Sequence, residues 1–190
     1  VKEIAHAAGV RLIDGLTFAK MIVDTGVKSI NDVIEYLDIS SIDNASKTVM
    51  GTTRYILTDA PSRAQYVLQK DDILYSTVRP NLQNIAINPY CDDNIVGSTG
   101  FCVLRCKGVT TGFMWGLITS DLFTEKMVSL ASGANYPAVT DKIVQAYEFP
   151  MPPITEQKRF ESIVQQSDKS KLTSKFNQEV CICLQKPILK

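Results

Sequence analysis

Short apolar runs that end in small polar residues dominate the first half of the chain. The runs are rich in Val, Ile, Leu, Tyr and Phe, and Ser, Thr, Gly, Pro, Asn or Asp separate them. This pattern is typical of β-strands connected by turns. It predicts strands over Ile34–Ile39, Arg54–Thr58, Ile73–Tyr75 and Phe101–Leu104. The last two strands lie in one segment, Asp71–Leu104, which also supplies polar loops.

Helical spacing replaces this pattern after a predicted turn at Arg105–Gly108. Apolar residues recur three and four positions apart from Thr111 to Ala131, which predicts a helix that Ser120 and Asp121 can divide. A short helix or turn at Thr140–Ala146, a strand at Tyr147–Pro150 and a long helix at Ile154–Gln185 follow. The long helix would measure roughly 45 Å at 1.5 Å per residue. Because one small domain cannot cover such a rod, we expect it to pack against another helix.

The N-terminal residues have a pattern of their own. It predicts a helix over Val1–Ala8, a strand over Val10–Ile13 and a helix over Leu16–Val23, which are too few residues to bury a core. We therefore expect an α+β protein in three parts. They are a helix–strand–helix lead-in over residues 1–30, a mixed, β-rich domain over residues 31–152, and a long C-terminal helix of coiled-coil type over residues 153–186.

Composition and charge narrow the functional classes. Hydrophobic residues make up 45% of the chain and charged residues 21%, which is ordinary for a soluble globular protein. The formal net charge is zero, which argues against a general polyanion binder, since nonspecific DNA affinity comes from many Lys and Arg contacts to phosphate. No apolar run reaches the roughly 20 residues of a membrane helix. The five cysteines fit no zinc spacing, so we expect free thiols in a reducing cytoplasm.

Six short motifs occur in order over about residues 34–185 and resemble one family. They are YLDISSID (36–43), APSRA (60–64), DILYSTVRPNL (72–82), STGFCVL (98–104), GANYP (133–137) and PMPPITEQ (150–157). Together they resemble half of the specificity (S) subunit of type I restriction–modification systems. That resemblance implies one target recognition domain, at residues 31–152, followed by one long family helix.

The resemblance also implies a function. Such subunits bind a bipartite double-stranded DNA sequence and hold methyltransferase (M) subunits, with the restriction (R) subunit as a further partner of the system. Each recognition domain reads one half-site, and an antiparallel coiled coil sets the spacing between the two. A chain with one domain and one helix is then expected to form a homodimer or to pair with a second half-subunit through the C-terminal helix.

A second, shorter resemblance covers residues 10–21. Leu12-Ile13-Asp14-Gly15 and Ala19-Lys20-Met21 are similar to the end of an Mrr-type nuclease domain. The catalytic carboxylates and the Gln-x-Lys motif of that family are absent from the chain, so no nuclease activity is carried over. This leaves a remnant of a nuclease–specificity fusion as an alternative origin, beside an ordinary lead-in.

Candidate DNA contacts are cationic, amide and hydroxyl side chains on the predicted loops. Cations and hydroxyls hold phosphates, whereas Arg, Asn, Gln, Ser and Thr read base edges. Gln83 and Asn84 add side-chain amides to the segment Asp71–Leu104. The candidates are Ser76, Thr77, Arg79, Asn81, Ser98, Thr99, Lys47, Arg54, Arg63, Asn135 and Tyr136.

Structural roles remain open for the same residues. The hydroxyls of Ser76, Thr77, Ser98 and Thr99 can bond the backbone at strand ends. Arg79 can form a salt bridge with Asp71 or Asp72. A protein-only assembly adaptor is therefore an alternative to a DNA reader, and the near-zero net charge favours it slightly.

The sequence lacks the residue combinations that catalytic sites use. His6 is the single histidine, and no nucleophile–base pair, Gly-rich phosphate loop or metal-ligand spacing is present in the sequence. We therefore expect no enzymatic activity, no cofactor and no metal.

Overall fold

The computed structural model describes residues 10–11, 16–18 and 33–166. The strands in these ranges are β1 (Val10–Arg11), β2 (Leu16–Phe18), β3 (Val33–Leu37), β4 (Ile42–Asp43), β5 (Thr48–Val49), β6 (Thr53–Ile56), β7 (Ala64–Val67), β8 (Ile73–Ser76), β9 (Ile85–Ile87), β10 (Ile95–Ser98), β11 (Phe101–Cys106) and β12 (Glu148–Phe149). The α-helices are α1 (Thr111–Ile118), α2 (Asp121–Leu130), α3 (Asp141–Gln145) and α4 (Ile154–Gln166).

Most of the strands form two four-stranded sheets. The first has the order β6-β3-β10-β7, in which β3 and β10 are parallel and the other pairs antiparallel. The second has the order β2-β11-β8-β9 and is antiparallel throughout. The chain passes from the first sheet to the second through Thr99 and Gly100, which join β10 to β11. Two short pairs, β4 with β5 and β1 with β12, complete the described pairings.

The second sheet lies between the first sheet and the helices, so both of its faces are buried. On β8, Ile73 and Tyr75 belong to the core that contains Phe123 of α2, whereas Leu74 packs with Leu37 of the first sheet. Successive side chains of a strand point to opposite faces. A strand buried on both faces therefore needs a continuous apolar run, which explains the apolar sequence of Ile73–Tyr75 in β8 and of Phe101–Leu104 in β11.

A buried ion pair ties these two central strands together. Asp72, at the turn before β8, is 1% exposed. Its carboxylate accepts hydrogen bonds from the Gln69 N–H at 2.7 Å and from Arg105 Nε and Nη2 at 2.8 and 2.7 Å. Since Arg105 lies near the end of β11, the bidentate pair fixes the start of one strand to the end of its neighbour. The paired donors compensate the carboxylate for its loss of water.

Helix α4 is joined to the N-terminus of α1 by side-chain hydrogen bonds. Gln157 is 1% exposed, and its amide accepts the Thr110 N–H at 2.9 Å while donating to the Pro152 carbonyl at 2.8 Å. Glu161 accepts the Gly112 N–H at 2.7 Å. These acceptors serve N–H groups that have no partner inside α1. A Cβ on Gly112 would lie 2.5 Å from Glu161 Cγ, so the glycine leaves room for the joint.

Much of the predicted pattern is confirmed. The α+β fold with a β-rich domain is present, and strands occupy each of the four regions predicted between residues 34 and 104. Ser120 separates α1 from α2, and its hydroxyl caps α2 by accepting the Phe123 N–H. The short helix and the strand before Pro150 are present as α3 and β12. Strands β4, β5, β7, β9 and β10 were not predicted.

Two predictions are wrong, and the same pairing explains both. Leu16–Phe18 was predicted to begin a helix, and Arg105 and Cys106 were predicted to begin a turn. Instead, β2 pairs antiparallel with the end of β11, with Thr17 opposite Arg105 and Leu16 opposite Cys106. Each segment supplies the ladder hydrogen bonds that hold the other as a strand, which local spacing does not reveal.

Some predictions fall on residues outside the described ranges. They are the helix over Val1–Ala8, the part of the second predicted helix over residues 19–23, and the long helix beyond Gln166. Among the described helices, none combines the length and the apolar character needed to cross a membrane.

The Asp72–Arg105 pair can be tested by the same substitution at two adjacent positions. We expect Asp72→Asn to lower the free energy of unfolding by about 3 kcal/mol, because an amide nitrogen cannot accept and Arg105 loses the carboxylate that balances its charge. Asp71→Asn is the control, since Asp71 is exposed and asparagine tolerates its φ of 66°. Chemical denaturation of both variants measures the difference. Equal losses would show that the ion pair is not what anchors β8.

Candidate functional site

The polar loops predicted from the sequence meet at one end of both sheets. Ser98, the last residue of β10, pairs with Ala64, the first residue of β7. In the second sheet Phe101, which begins β11, pairs with Ser76, which ends β8. Since only Thr99 and Gly100 separate β10 from β11, these strand ends lie side by side.

Further loops leave from the same place. The parallel pairing of β3 with β10 brings the end of β3 there, and β6 begins opposite Tyr36 of β3. The backbone bridge between Val78 and Ala138 adds the loop that follows α2. We call this surface the loop end. It consists of residues 38–52, 61–63, 77–84, 99–100 and 132–138.

The candidate hydroxyls at the loop end are turned toward the backbone. Ser76 is buried and donates to the Val78 carbonyl at 3.0 Å, and Thr77 is buried and donates to the Gly100 carbonyl at 3.0 Å. Ser98 is fully buried, and its hydroxyl accepts the Gly100 N–H at 3.2 Å. Thr99 is half-buried. The geometry of Ser76, Thr77 and Ser98 matches the alternative that these hydroxyls close strand ends.

Arg79, Asn135 and Tyr136 are brought together although they lie far apart in the sequence. The Arg79 guanidinium lies 4.6 Å from the centroid of the Tyr136 ring and donates to the Asn135 carbonyl at 3.3 Å. The Arg79 N–H also donates to the Pro137 carbonyl at 2.7 Å. Tyr136 is 69% exposed. Because Asp72 pairs with Arg105, the considered Arg79–Asp72 salt bridge is not formed, and Arg79 instead stacks on an exposed aromatic ring.

Lys47 and Asn81 belong to a second group at the loop end. Lys47 lies at the tip of the β4–β5 hairpin and donates to Gln83 Oε1 at 2.8 Å, while Asn44 donates to the Leu82 carbonyl at 3.3 Å. Asn81 is exposed on the same turn, Pro80–Leu82. Partial burial lowers the pKa of the Lys47 ammonium. The hairpin tip is therefore seated on the turn that follows Arg79.

Arg54 and Arg63 are exposed at the edges of the first sheet. Arg54 lies in β6, the outer strand, where it pairs in register with Glu35 of β3. Arg63 lies just before β7, and its carbonyl accepts the Thr99 N–H at 2.9 Å. The structure therefore places all eleven candidates at the loop end or in the strand residues beside it.

Charge is unevenly divided between the two ends of the domain. The loop end carries Lys47, Arg63 and Arg79 against Asp38 and Asp43. Both carboxylates accept hydrogen bonds within their own turns. Asp38 caps residues 39–41, and hydrogen bonds from Ser46 and Ala45 lower the pKa of Asp43. The turns at the opposite end, 68–72, 88–94 and 107–110, carry Asp71, Asp92 and Asp93 against Lys70 and Lys107, while Arg105 balances the charge of Asp72. A net charge of zero thus conceals a cationic excess at the loop end.

Two residues that support this surface carry no local signal in the sequence. Thr124, on α2, accepts a hydrogen bond from Gln83 Nε2 at 2.7 Å, and Asn44 holds the hairpin tip. Thr124 is 41 positions from Gln83, so neither spacing nor motif identifies it as part of the loop end. In the part of the chain that the structure describes, no group of three His, Cys, Asp or Glu residues could hold a metal ion.

Comparison with known proteins identifies a family to which the chain is similar. The family model of the type I restriction modification DNA specificity domain matches residues 23–181. The type I restriction enzyme HindI specificity subunit of Haemophilus influenzae is 31% identical over 125 residues, which are 63% of this chain and 27% of that protein.

Solved structures give the same result. The crystal structure of the HsdS subunit from Thermoanaerobacter tengcongensis matches with a TM-score of 0.71 at 34% identity, over 82% of this chain and 40% of that one. A chain from a structural study of complex assembly and conformational transition of the type I R-M system matches with a TM-score of 0.73, also at 34% identity and with the same coverage. This chain therefore spans less than half the length of these relatives. The matched family model covers most of its residues, and the chain belongs to the type I restriction modification DNA specificity domain family.

Proposed function

We propose that this chain is a sequence-specific DNA-binding unit of a type I restriction–modification system and reads one half-site through the loop end. The observation that carries the proposal is the convergence of Lys47, Arg63 and Arg79 at one end of a domain whose opposite end is acidic. Such a separation orients a neutral protein on a polyanion and leaves local readout to decide the sequence. The unit itself performs no catalysis.

The candidates divide into two groups by their geometry. We assign Ser76, Thr77 and Ser98 to shaping the loops, because their hydroxyls are buried and bonded to backbone. The exposed or half-buried members are assigned to contacts with DNA: Lys47, Arg54, Arg63, Arg79, Asn81, Thr99, Asn135 and Tyr136. Of these, Arg79 is suited to read a base edge, because stacking on Tyr136 orients its planar fork of donors.

Assembly completes the proposed role. The M subunit, the R subunit and a second copy or second half-subunit are the proposed partners, and the C-terminal helix over residues 153–186 is the proposed pairing element. The recognition domain over residues 31–152 is proposed to work with the lead-in over residues 1–30. The cytoplasm is the proposed compartment, which suits the free thiols of Cys91, Cys102 and Cys106.

The two alternatives gain less support from the structure. A protein-only adaptor has no need for the cationic excess at the loop end. A nuclease remnant would not be expected to pair with strands of the recognition domain. Strands β1 and β2, however, pair with β12 and β11.

The DNA-reading role is testable by selection. The full chain with its cognate M subunit is expected to enrich one half-site motif from a pool of randomised duplexes, because the loop end presents fixed donors to the grooves. Selection without the chain is the control. A pool that stays random with both proteins present would contradict the proposal.

Arg79 provides a test at a single residue. Arg79→Ala is expected to weaken binding to the selected sequence by about 1–3 kcal/mol and to relax the preference at one base pair, since a bidentate base contact is lost. The matched control is Arg159→Ala, which removes an exposed arginine on α4, away from the loop end. Binding isotherms on selected and single-mismatch duplexes measure both effects. Unchanged affinity would assign Arg79 to the scaffold.

Ser98 and Thr99 test the division between shaping and contact. Ser98→Ala is expected to lower the free energy of unfolding by about 2 kcal/mol, because the buried Gly100 N–H loses its acceptor. Thr99→Ala, at the neighbouring half-buried position, is expected to leave stability within about 0.5 kcal/mol of the parent. Denaturant titration distinguishes them. Equal stability of the two variants would contradict the structural role of Ser98.

A further inference from the structure

The β4–β5 hairpin is held on the loop end by a chain of three polar side chains. Lys47 Nζ donates to Gln83 Oε1 at 2.8 Å and lies 3.4 Å from the Gln83 carbonyl oxygen. Gln83 Nε2 donates to Thr124 Oγ1 on α2 at 2.7 Å. Lys47 and Gln83 both adopt positive φ, 54° and 48°, which non-glycine residues adopt infrequently. The two ends of the Gln83 amide thus connect the hairpin tip to a helix of the core.

The charge of Lys47 is held in place but not neutralised. Both of its acceptors in this arrangement belong to Gln83, which is neutral. Among the side chains that the structure describes, no carboxylate forms an ion pair with Lys47; the ion pairs there join Asp72 to Arg105 and Glu156 to Arg159. Asp43, the acidic residue of the hairpin, instead accepts from Ala45 and Ser46. A half-buried ammonium with only neutral partners retains its attraction for an anion.

We propose that Gln83 is a positioning residue that aims the Lys47 ammonium at a backbone phosphate of bound DNA. This inference rests on the proposed function and names the chemical group that one part of the loop end binds. A compact ammonium suits a phosphate, whereas paired recognition of a base edge favours the planar fork of arginine. Holding the lysine before binding removes part of the ordering penalty that a free lysine side chain incurs.

The salt dependence of DNA binding isolates a phosphate contact. Each lost contact reduces the magnitude of the negative slope of log Kobs against log salt concentration by about 0.9 for B-DNA, whatever the sequence. The probe is a fluorescein-labelled duplex of mixed sequence, bound by the full chain and followed by anisotropy. Lys47→Met keeps the apolar stem and removes the charge, and we expect it to reduce the magnitude of the slope by about 0.9. Lys70→Met is the matched control at the opposite end and is expected to leave the slope unchanged.

The role of Gln83 is measured by a double-mutant cycle on the same duplex. Gln83→Ala keeps the Cβ, and with it the backbone preference, but removes both amide contacts. We expect it to weaken binding several-fold when Lys47 is present and to have no effect in the Lys47→Met background. Thermal unfolding of every variant confirms that each is folded under the assay conditions.

The outcomes separate this inference from the function on which it rests. An unchanged slope for Lys47→Met, or equal losses for Gln83→Ala in both backgrounds, would overturn the inference while leaving the DNA-binding role intact. Equal slope losses for Lys47→Met and Lys70→Met would also overturn it, because the contact would not be confined to the loop end. No binding of the parent chain to the duplex at low salt, alone or with the M subunit, would overturn the proposed function itself.

Discussion

The rest of the structure depends on the passage of the chain from one sheet to the other at Thr99 and Gly100. Thr77 fixes this passage by donating its N–H and its hydroxyl to the Gly100 carbonyl, each at 3.0 Å. A Cβ on Gly100 would lie 2.7 Å from Ile39 Cδ1, so a larger residue at the crossing would require the Ile39 side chain to move. Because the crossing is two residues long, the ends of both sheets are forced together, and their loops can act as one surface.

The sequence predicts the parts of this molecule that local forces decide. The unbroken apolar runs of β8 and β11 indicate strands because burial on both faces leaves no polar position, and Ser120 indicates a helix boundary because its hydroxyl serves as a cap. Residues paired across long separations are different. Thr17 becomes a strand residue only when Arg105 lies beside it, and the candidate loops could be identified without showing that Arg79 stacks on Tyr136.

The distribution of charge over the surface, like the pairing of distant residues, is not evident from the local sequence. Net charge, a property of composition, is zero and favours no polyanion, whereas the distribution of charge depends on topology. Antiparallel strands return the chain repeatedly to the same two ends, so the turns at one end collect Asp71, Asp72, Asp92 and Asp93 and those at the other collect Lys47, Arg63 and Arg79. A buried pair, Asp72 with Arg105, then withdraws one carboxylate and one guanidinium from the surface balance.

The joint between α1 and α4 has a consequence for the position of the far end of α4. Gln157 and Glu161 fix the direction in which α4 leaves the domain. The 13 residues of α4 extend about 20 Å, so a tilt of about 10° at the joint would move the far end of the helix by about 3.4 Å. Two hydrogen bonds at the base of α4 therefore determine where the far end of the helix lies, because the length of the helix multiplies any error in its angle.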